Sequence, residues 1–200
     1  MAAAQGAAVN VKDVKESRPL RADARRNRDA ILLAARETFE EEGVLASLDG
    51  IALRAGVGNA TLYRNFPTRH DLLAAVMESN IALALAEADE LARTLRPREA
   101  LAEWLVQLTW QLRIWHDLPY CLTTAHGDPA SSMNAVRNPL LMRTGVLLDE
   151  AKSSGDALDA VTVDEVFELI TALSWGVDRF GDDKETARRR VRVATAGIFA

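Results

Sequence analysis

The sequence predicts an all-α fold of about nine helices, and three observations carry that prediction. Apolar residues recur at helical spacing along most of the chain, and no segment alternates apolar and polar residues as a half-buried strand does. The six prolines sit between the periodic segments. Ser, Thr and Asp stand where those segments begin, and Gly stands where several of them end.

The first helix is predicted from about Asp23 to Glu42, with Ile31, Ala34, Ala35, Thr38 and Phe39 on one stripe. Gly43 ends it as a C-terminal cap. A short helix follows from about Leu48 to Ala55, with Ser47 as N-cap and Gly56 as its stop. A second short helix spans about Asn59 to Phe66. Pro67 halts it, because proline restricts the residue before it and has no N–H to donate. Thr68 caps the next helix, Arg69 to Leu95, with Asp71 as capping-box partner and Leu72, Leu73, Val76, Ile81, Leu85 and Leu91 as apolar positions. Pro97 opens a helix to about Trp115. Residues 117–139 read as broken by Pro119, Gly127, Pro129 and Pro139. Asn138-Pro139 is expected to start a helix that runs toward Ser153 and ends near Gly155. Thr162 and Glu165 form a capping box opening a helix to about Phe180, and a last helix runs from Asp183 to the end.

At 48% hydrophobic and 26% charged, the composition is that of an ordinary globular chain. A lone cysteine, Cys121, excludes an internal disulfide. The N-terminus lacks an apolar run of signal-peptide length, and nothing approaches the roughly 20 apolar residues of a membrane helix. A soluble cytoplasmic protein with no membrane partner is expected. The net charge of −5 hides an asymmetry. Through His70 there are 11 Lys and Arg against 9 Asp and Glu; beyond it, 13 against 20. The basic excess gathers at Arg18, Arg21, Arg25, Arg26 and Arg28.

The stretch AGVGNATLYRNFP, Ala55 to Pro67, invites two readings. A dinucleotide fingerprint needs a preceding strand and a third glycine. Here Ile51, Ala52 and Ala55 are helically spaced and Thr61 takes the third glycine position, so that reading fails. Two short helices around a glycine turn are instead the helix-turn-helix pattern. Gly56 suits the left-handed turn, Val57 plugs the space between the helices, and Leu62 and Phe66 face inward. Asn59, Ala60, Tyr63 and Arg64 then face out, where Asn can bond adenine, Ala can touch a thymine methyl, and Tyr and Arg can reach phosphates or bases. Thr61 and Asn65 flank that edge. Arg69, at the start of the following helix, adds a phosphate site, as do Arg25, Arg26 and Arg28, whose charges oppose the dipole of their own helix.

From Arg25 to about Leu73 the chain closely resembles the N-terminal domain of the tetracycline-repressor (TetR) family. The residues that carry the likeness are AILLAARETFEEEGV and SLDGIALRAGVGNATLYRNFPTRHDLLAAV. The resemblance implies a homodimeric transcriptional regulator, usually a repressor, with a helical ligand domain above the helix-turn-helix. It implies phosphate contacts from Ser47, Thr61, Tyr63, Asn65 and Arg69, and base reading by Asn59, Ala60 and Tyr63. The chain departs from the family pattern at three places. Gly50 weakens the first short helix, Asn59-Ala60 replaces the common Lys-Gly pair, and Asp49 stands at a position that in some members faces the DNA, where it would repel phosphate if exposed. The implied organisation is a disordered basic arm over residues 1–22, a helix-turn-helix DNA-binding domain over 23–72, and an effector-binding and dimerisation domain over 73–200.

For the wall of a small-molecule effector cavity the resemblance favours Trp104, Arg113, Trp115, His116, Tyr120, His126, Met142 and Phe167, although an aromatic stripe is by itself more often core. Val166, Leu169, Ile170, Leu173, Val191, Ala194 and Ile198 on the last two helices are expected at the dimer interface, with core packing as the alternative. His116, Cys121 and His126 are spaced by five, which suits neither one helical face nor a zinc pattern, so no metal and no cofactor are expected. Catalytic motifs of the Gly-x-Ser-x-Gly or His-Glu-x-x-His type are absent, and no enzymatic activity is expected.

Overall fold

The computed structural model describes residues 11–113, 117–126 and 128–200, with the backbone alone at 11–22, 125 and 126. Among them are nine α-helices and, in place of strands, only a single antiparallel bridge between Ala157 and Phe199. The helices are α1 (Val11–Glu42), α2 (Leu48–Arg54), α3 (Asn59–Asn65), α4 (Arg69–Thr94), α5 (Pro97–Leu112), α6 (Leu118–His126), α7 (Asn134–Ser153), α8 (Val163–Arg179) and α9 (Lys184–Ala194). A short 3-10 turn, Ala196–Ile198, closes the chain.

α1 to α3 pack as a unit on the start of α4. Ile31, Ala35 and Phe39 of α1, Ile51 of α2, Leu62 of α3 and Phe66 just after it, and Leu72 and Leu73 of α4 are all but fully buried. Arg54 ties α2 to α1 by donating to Thr38 Oγ1 at 3.0 Å and Glu41 Oε2 at 2.6 Å. The backbone of α1 is already helical at Val11, ahead of the predicted start at Asp23 and through part of the expected disordered arm. Residues 11–22 include four Lys and Arg, which suit a helix, but also Pro19, which lies inside α1 and costs it a backbone hydrogen bond. Residues 1–10 and the side chains of Arg18 and Arg21 lie outside the described residues.

In the remainder, α5 is the hub and contacts α4, α7, α8 and α9. Its Leu101, Trp104, Leu105 and Leu108 are fully enclosed. Trp104 is a core residue: its Nε1–H donates to Thr144 Oγ1 at 2.9 Å, and that hydroxyl donates to the Leu140 carbonyl at 2.8 Å. The buried indole N–H thereby avoids the cost of an unpaired donor. α9 docks on α5 through a two-pronged ion pair between Arg188 and Glu103. That pair holds the Glu103 carboxyl below its ordinary pKa, with Arg188 as the largest cause.

Two boundaries differ from the predicted ones. α6 occupies part of the segment read as broken; Pro119 falls in its first turn, where a missing N–H costs nothing. α7 begins at Asn134, so Pro139 lies inside the helix. The extra turn is secured by burial of Val136 and Arg137 and by Ser131 Oγ accepting from Met133 N at 3.3 Å.

Candidate DNA-reading face and effector cleft

The turn between α2 and α3 is built as its sequence dictates. Gly56 has φ 68°, a left-handed backbone at which an L side chain is strained. Its N–H donates to Leu53 O at 3.1 Å, and that of Val57 to Ala52 O at 3.0 Å, closing the end of α2. Ser47 caps the start of α2, accepting from Gly50 N at 3.3 Å. Leu62 and Phe66 anchor α3 from beneath, which leaves Asn59, Ala60, Tyr63 and Arg64 exposed along one edge.

That edge is already partly organised. Asn59 Nδ2 donates to Asp49 Oδ1 at 2.9 Å, so an acidic residue of α2 holds the first side chain of α3. Arg64 lies along its own helix, with Nε on Ala60 O and Nη2 on Thr61 Oγ1, both at 3.1 Å. Asn65 Nδ2 bonds Thr61 O at 2.8 Å. Tyr63 stands free of the turn, 45% exposed. Arg25 and Arg26 are exposed near the start of the described side chains, Arg26 paired with Asp23, and the Arg28 guanidinium lies 4.6 Å above the Phe66 ring.

Arg69 has a different local task from the phosphate site the sequence suggests. Its Nη1 donates to the carbonyls of Val44 at 2.8 Å and Ala46 at 2.6 Å, clamping the α1–α2 turn onto the start of α4. Beside it, Thr68 and Asp71 complete the predicted capping box. The loop before α7 reaches the same place: Ser132 Oγ bonds Asp71 Oδ1, and Ser131 Oγ lies 3.3 Å from His70 Nδ1. Hydrogen bonds from Ser132, first, and Thr68 hold the Asp71 carboxyl below the ordinary aspartate pKa.

A second concave feature lies between α6, α7 and α8. It is a cleft of about 480 Å³ lined by Pro119, Tyr120, Leu122, Arg137, Phe167 and Trp175, together with Thr123, Glu168, Thr171 and Ala172. Of the effector-cavity residues expected from sequence, the structure brings Tyr120 and Phe167 together here. Trp104 is in the core, Arg113 stacks 3.5 Å over the Trp110 ring at the end of α5, and Met142 is 70% exposed on α7. Trp115, His116 and the side chain of His126 lie outside the described residues. Sequence reasoning passed over Arg137 and Thr171 and left Trp175 unassigned. Phe167, Thr171 and Trp175 are four apart, a stripe that helical spacing could have exposed. Arg137 gave no such signal, since its burial depends on contacts with α8.

Of the residues expected at the dimer interface, Val166, Ile170, Val191 and Ile198 are buried within the chain itself. α9 packs against α5, so Val191 and Ile198 of that stripe are core. Leu169, Leu173 and Ala194 remain half-buried, and Val193 is 79% exposed.

Comparison with known proteins decides the family. Residues 31–76 match the family model described as bacterial regulatory proteins, tetR family, and residues 96–200 match that of the SbtR-like transcriptional regulator C-terminal domain. The chain belongs to the TetR family. An HTH-type transcriptional regulator of Staphylococcus aureus (strain USA300) is 40% identical over 63 residues, 31% of this chain and 34% of that protein. The curated relatives are therefore matched over about a third of their length. A TetR transcriptional regulator from Streptomyces coelicolor is 28% identical with a TM-score of 0.55, over 86% of this chain and 98% of its own. The regulator FadR from Bacillus subtilis, solved with stearoyl-CoA, shares the fold at 19% identity and a TM-score of 0.60, over 84% of this chain and 98% of its own.

Among the described residues no group of His, Cys, Asp and Glu is placed to hold a metal ion. Cys121 is 1% exposed, and burial, only partly offset by the Arg69 charge, pushes its thiol pKa up, away from a reactive thiolate. No helix among the described residues is long and apolar enough to cross a membrane.

Proposed function

We propose that this TetR-family protein is a cytoplasmic homodimeric repressor that binds duplex DNA through α3 and is released by a small organic effector bound in the α6–α8 cleft. The outward polar edge of α3 carries the reading. Asn59, Ala60 and Tyr63 are exposed on a short helix whose other side is pinned by Leu62 and Phe66, the arrangement a major-groove reader needs. One such helix makes few base contacts. Two-fold pairing sets a second copy about 34 Å away on the same duplex. Leu169, Leu173, Val193 and Ala194 form the remaining apolar surface for that pairing. At 100° per residue, Leu169 and Leu173 turn to a different flank of α8 from Phe167, Thr171 and Trp175, so pairing and effector binding use separate sides. The effector acts by binding the DNA-free arrangement more tightly than the DNA-bound one.

Fluorescence anisotropy on the chain's own upstream DNA tests this. Tyr63→Ala is expected to weaken binding at least about tenfold, and wild-type affinity to fall steeply between roughly 50 and 200 mM salt. Affinity indifferent to both would overturn the proposal. Deleting residues 1–21 separates an arm that enters the minor groove, which loses affinity when removed, from a solvated tail, which does not.

A further inference from the structure

Resting on the reading of the α6–α8 cleft as the effector site, we propose that its ligand class is a flat, amphipathic organic monoanion. A carboxylate sits on Arg137 and an aromatic or hydrocarbon body lies against Tyr120, Phe167 and Trp175.

Arg137 carries the argument. It is only 8% exposed, in the first turns of α7, and it lines the cleft. Its guanidinium carbon lies 5.5 Å from the Phe167 ring centre. A guanidinium has five N–H donors. Among the described residues its side-chain hydrogen bonding consists of one contact, Nη2 to Asp164 Oδ1 at 3.1 Å. Asp164 is itself 55% exposed, so water screens much of its charge. A nearly buried cation whose described ion pair, at 3.1 Å, is to one half-solvated carboxylate keeps the rest of its planar donors for a ligand in the cleft. A carboxylate matches that planar fork with two parallel N–H···O bonds, as a neutral hydroxyl cannot.

The rest of the wall sets the other limits. Tyr120, Phe167 and Trp175 supply aromatic surface, and Leu122, Ala172 and Pro119 supply aliphatic surface, so most of the ligand is apolar. The volume of about 480 Å³ suits a body of one or two fused rings or a comparable chain. Glu168 shares the cleft from its exposed side and disfavours a second negative charge. It does not convert the cleft into a cation site. Glu168 faces solvent at high effective dielectric, whereas the Arg137 charge acts from the interior, where its field is stronger.

Isothermal titration calorimetry on the full chain, with naphthoate, naphthylmethanol and naphthylmethylammonium as shape-matched probes, tests the assignment. Naphthoate is expected to bind at least about tenfold more tightly than naphthylmethanol, the step expected of charge-assisted over neutral hydrogen bonds, with the ammonium weakest. Arg137→Gln should bring naphthoate down to the level of naphthylmethanol and leave naphthylmethanol unchanged. Glu168→Gln should strengthen naphthoate alone, and it serves if Arg137→Gln does not fold. Naphthylmethanol or the ammonium binding as tightly as naphthoate overturns the ligand class while leaving the cleft as an effector site. Naphthoate binding unmoved by both Arg137→Gln and Phe167→Ala overturns the location. Failure of all three probes to bind removes both the class and the effector reading of this cleft, and leaves DNA binding by α3 to stand on its own test.

Discussion

Replacing Arg69 by Met keeps most of the side chain's apolar length and removes its N–H groups. The carbonyls of Val44 and Ala46 then lose their shared donor, whose bonds measure 2.8 and 2.6 Å. Val44 is fully buried and Ala46 8% exposed, so water reaches that turn poorly. A hydrogen bond to a charged group contributes about 1.5–3 kcal/mol; two bonds from one nitrogen count for less than twice that, so the loss should be about 2–4 kcal/mol. Urea unfolding at fixed protomer concentration should show a lowered midpoint with an unchanged slope. Operator affinity should fall by a similar factor at every salt concentration, because a clamp acts through the shape of the turn and not through a phosphate charge. A phosphate-binding arginine gives the opposite pattern. Its removal leaves stability within about 0.5 kcal/mol and flattens the dependence of log affinity on log salt by about 0.9. That second pattern would refute the clamp.

Three further outcomes follow from particular contacts. Gly50→Ala should stabilise the protein by about 0.5–1 kcal/mol in the same unfolding assay, since the added Cβ meets only Ser47 Cβ at 3.6 Å and Oγ at 4.0 Å, ordinary contact distances, in a helix that glycine weakens. Asp49→Ala should raise affinity for random duplex and lower the ratio of operator to random binding in competition anisotropy, because it removes a negative charge and frees Asn59 from its 2.9 Å bond. Asp71 has a depressed folded-state pKa, so its contribution to stability is complete above the ordinary value of 3.8 and is lost as the pH falls through the lower folded value. Ser132→Ala removes the largest cause of that depression and should narrow the acid range over which stability drains, as followed by circular dichroism below about pH 4.

How much of this was legible in the sequence depended on range. Gly56, the Thr68–Asp71 and Thr162–Glu165 capping boxes and the Ser47 cap are local devices, satisfied within three or four residues, and each is where the pattern placed it. The inward pair Leu62 and Phe66, and with it the outward edge of α3, followed from one helical period. The cleft followed only in part. Tyr120 and Phe167 were named for their chemistry, but Arg137 acquires its role from α8, a helix 27 residues further on. The added first turn of α7 is likewise set by tertiary burial strong enough to keep Pro139 inside a helix. Arg69 reaches back 25 residues to Val44, a contact that neither its position at a helix start nor the family resemblance announced. The stripe on α9 was periodic as read, but period alone does not tell whether a face meets its own chain or another.

The first turn of α4 is finished by residues from far along the chain, Ser131 and Ser132 meeting His70 and Asp71. Grafting the reading head of one relative onto the sensory body of another therefore needs a seam that carries both partners. A hybrid cut between α3 and α4 keeps these four side chains from one parent. A hybrid cut in the middle of α4 marries a foreign His70-Asp71 position to a resident serine pair, and it should assemble well only where the donor's cap happens to suit that loop.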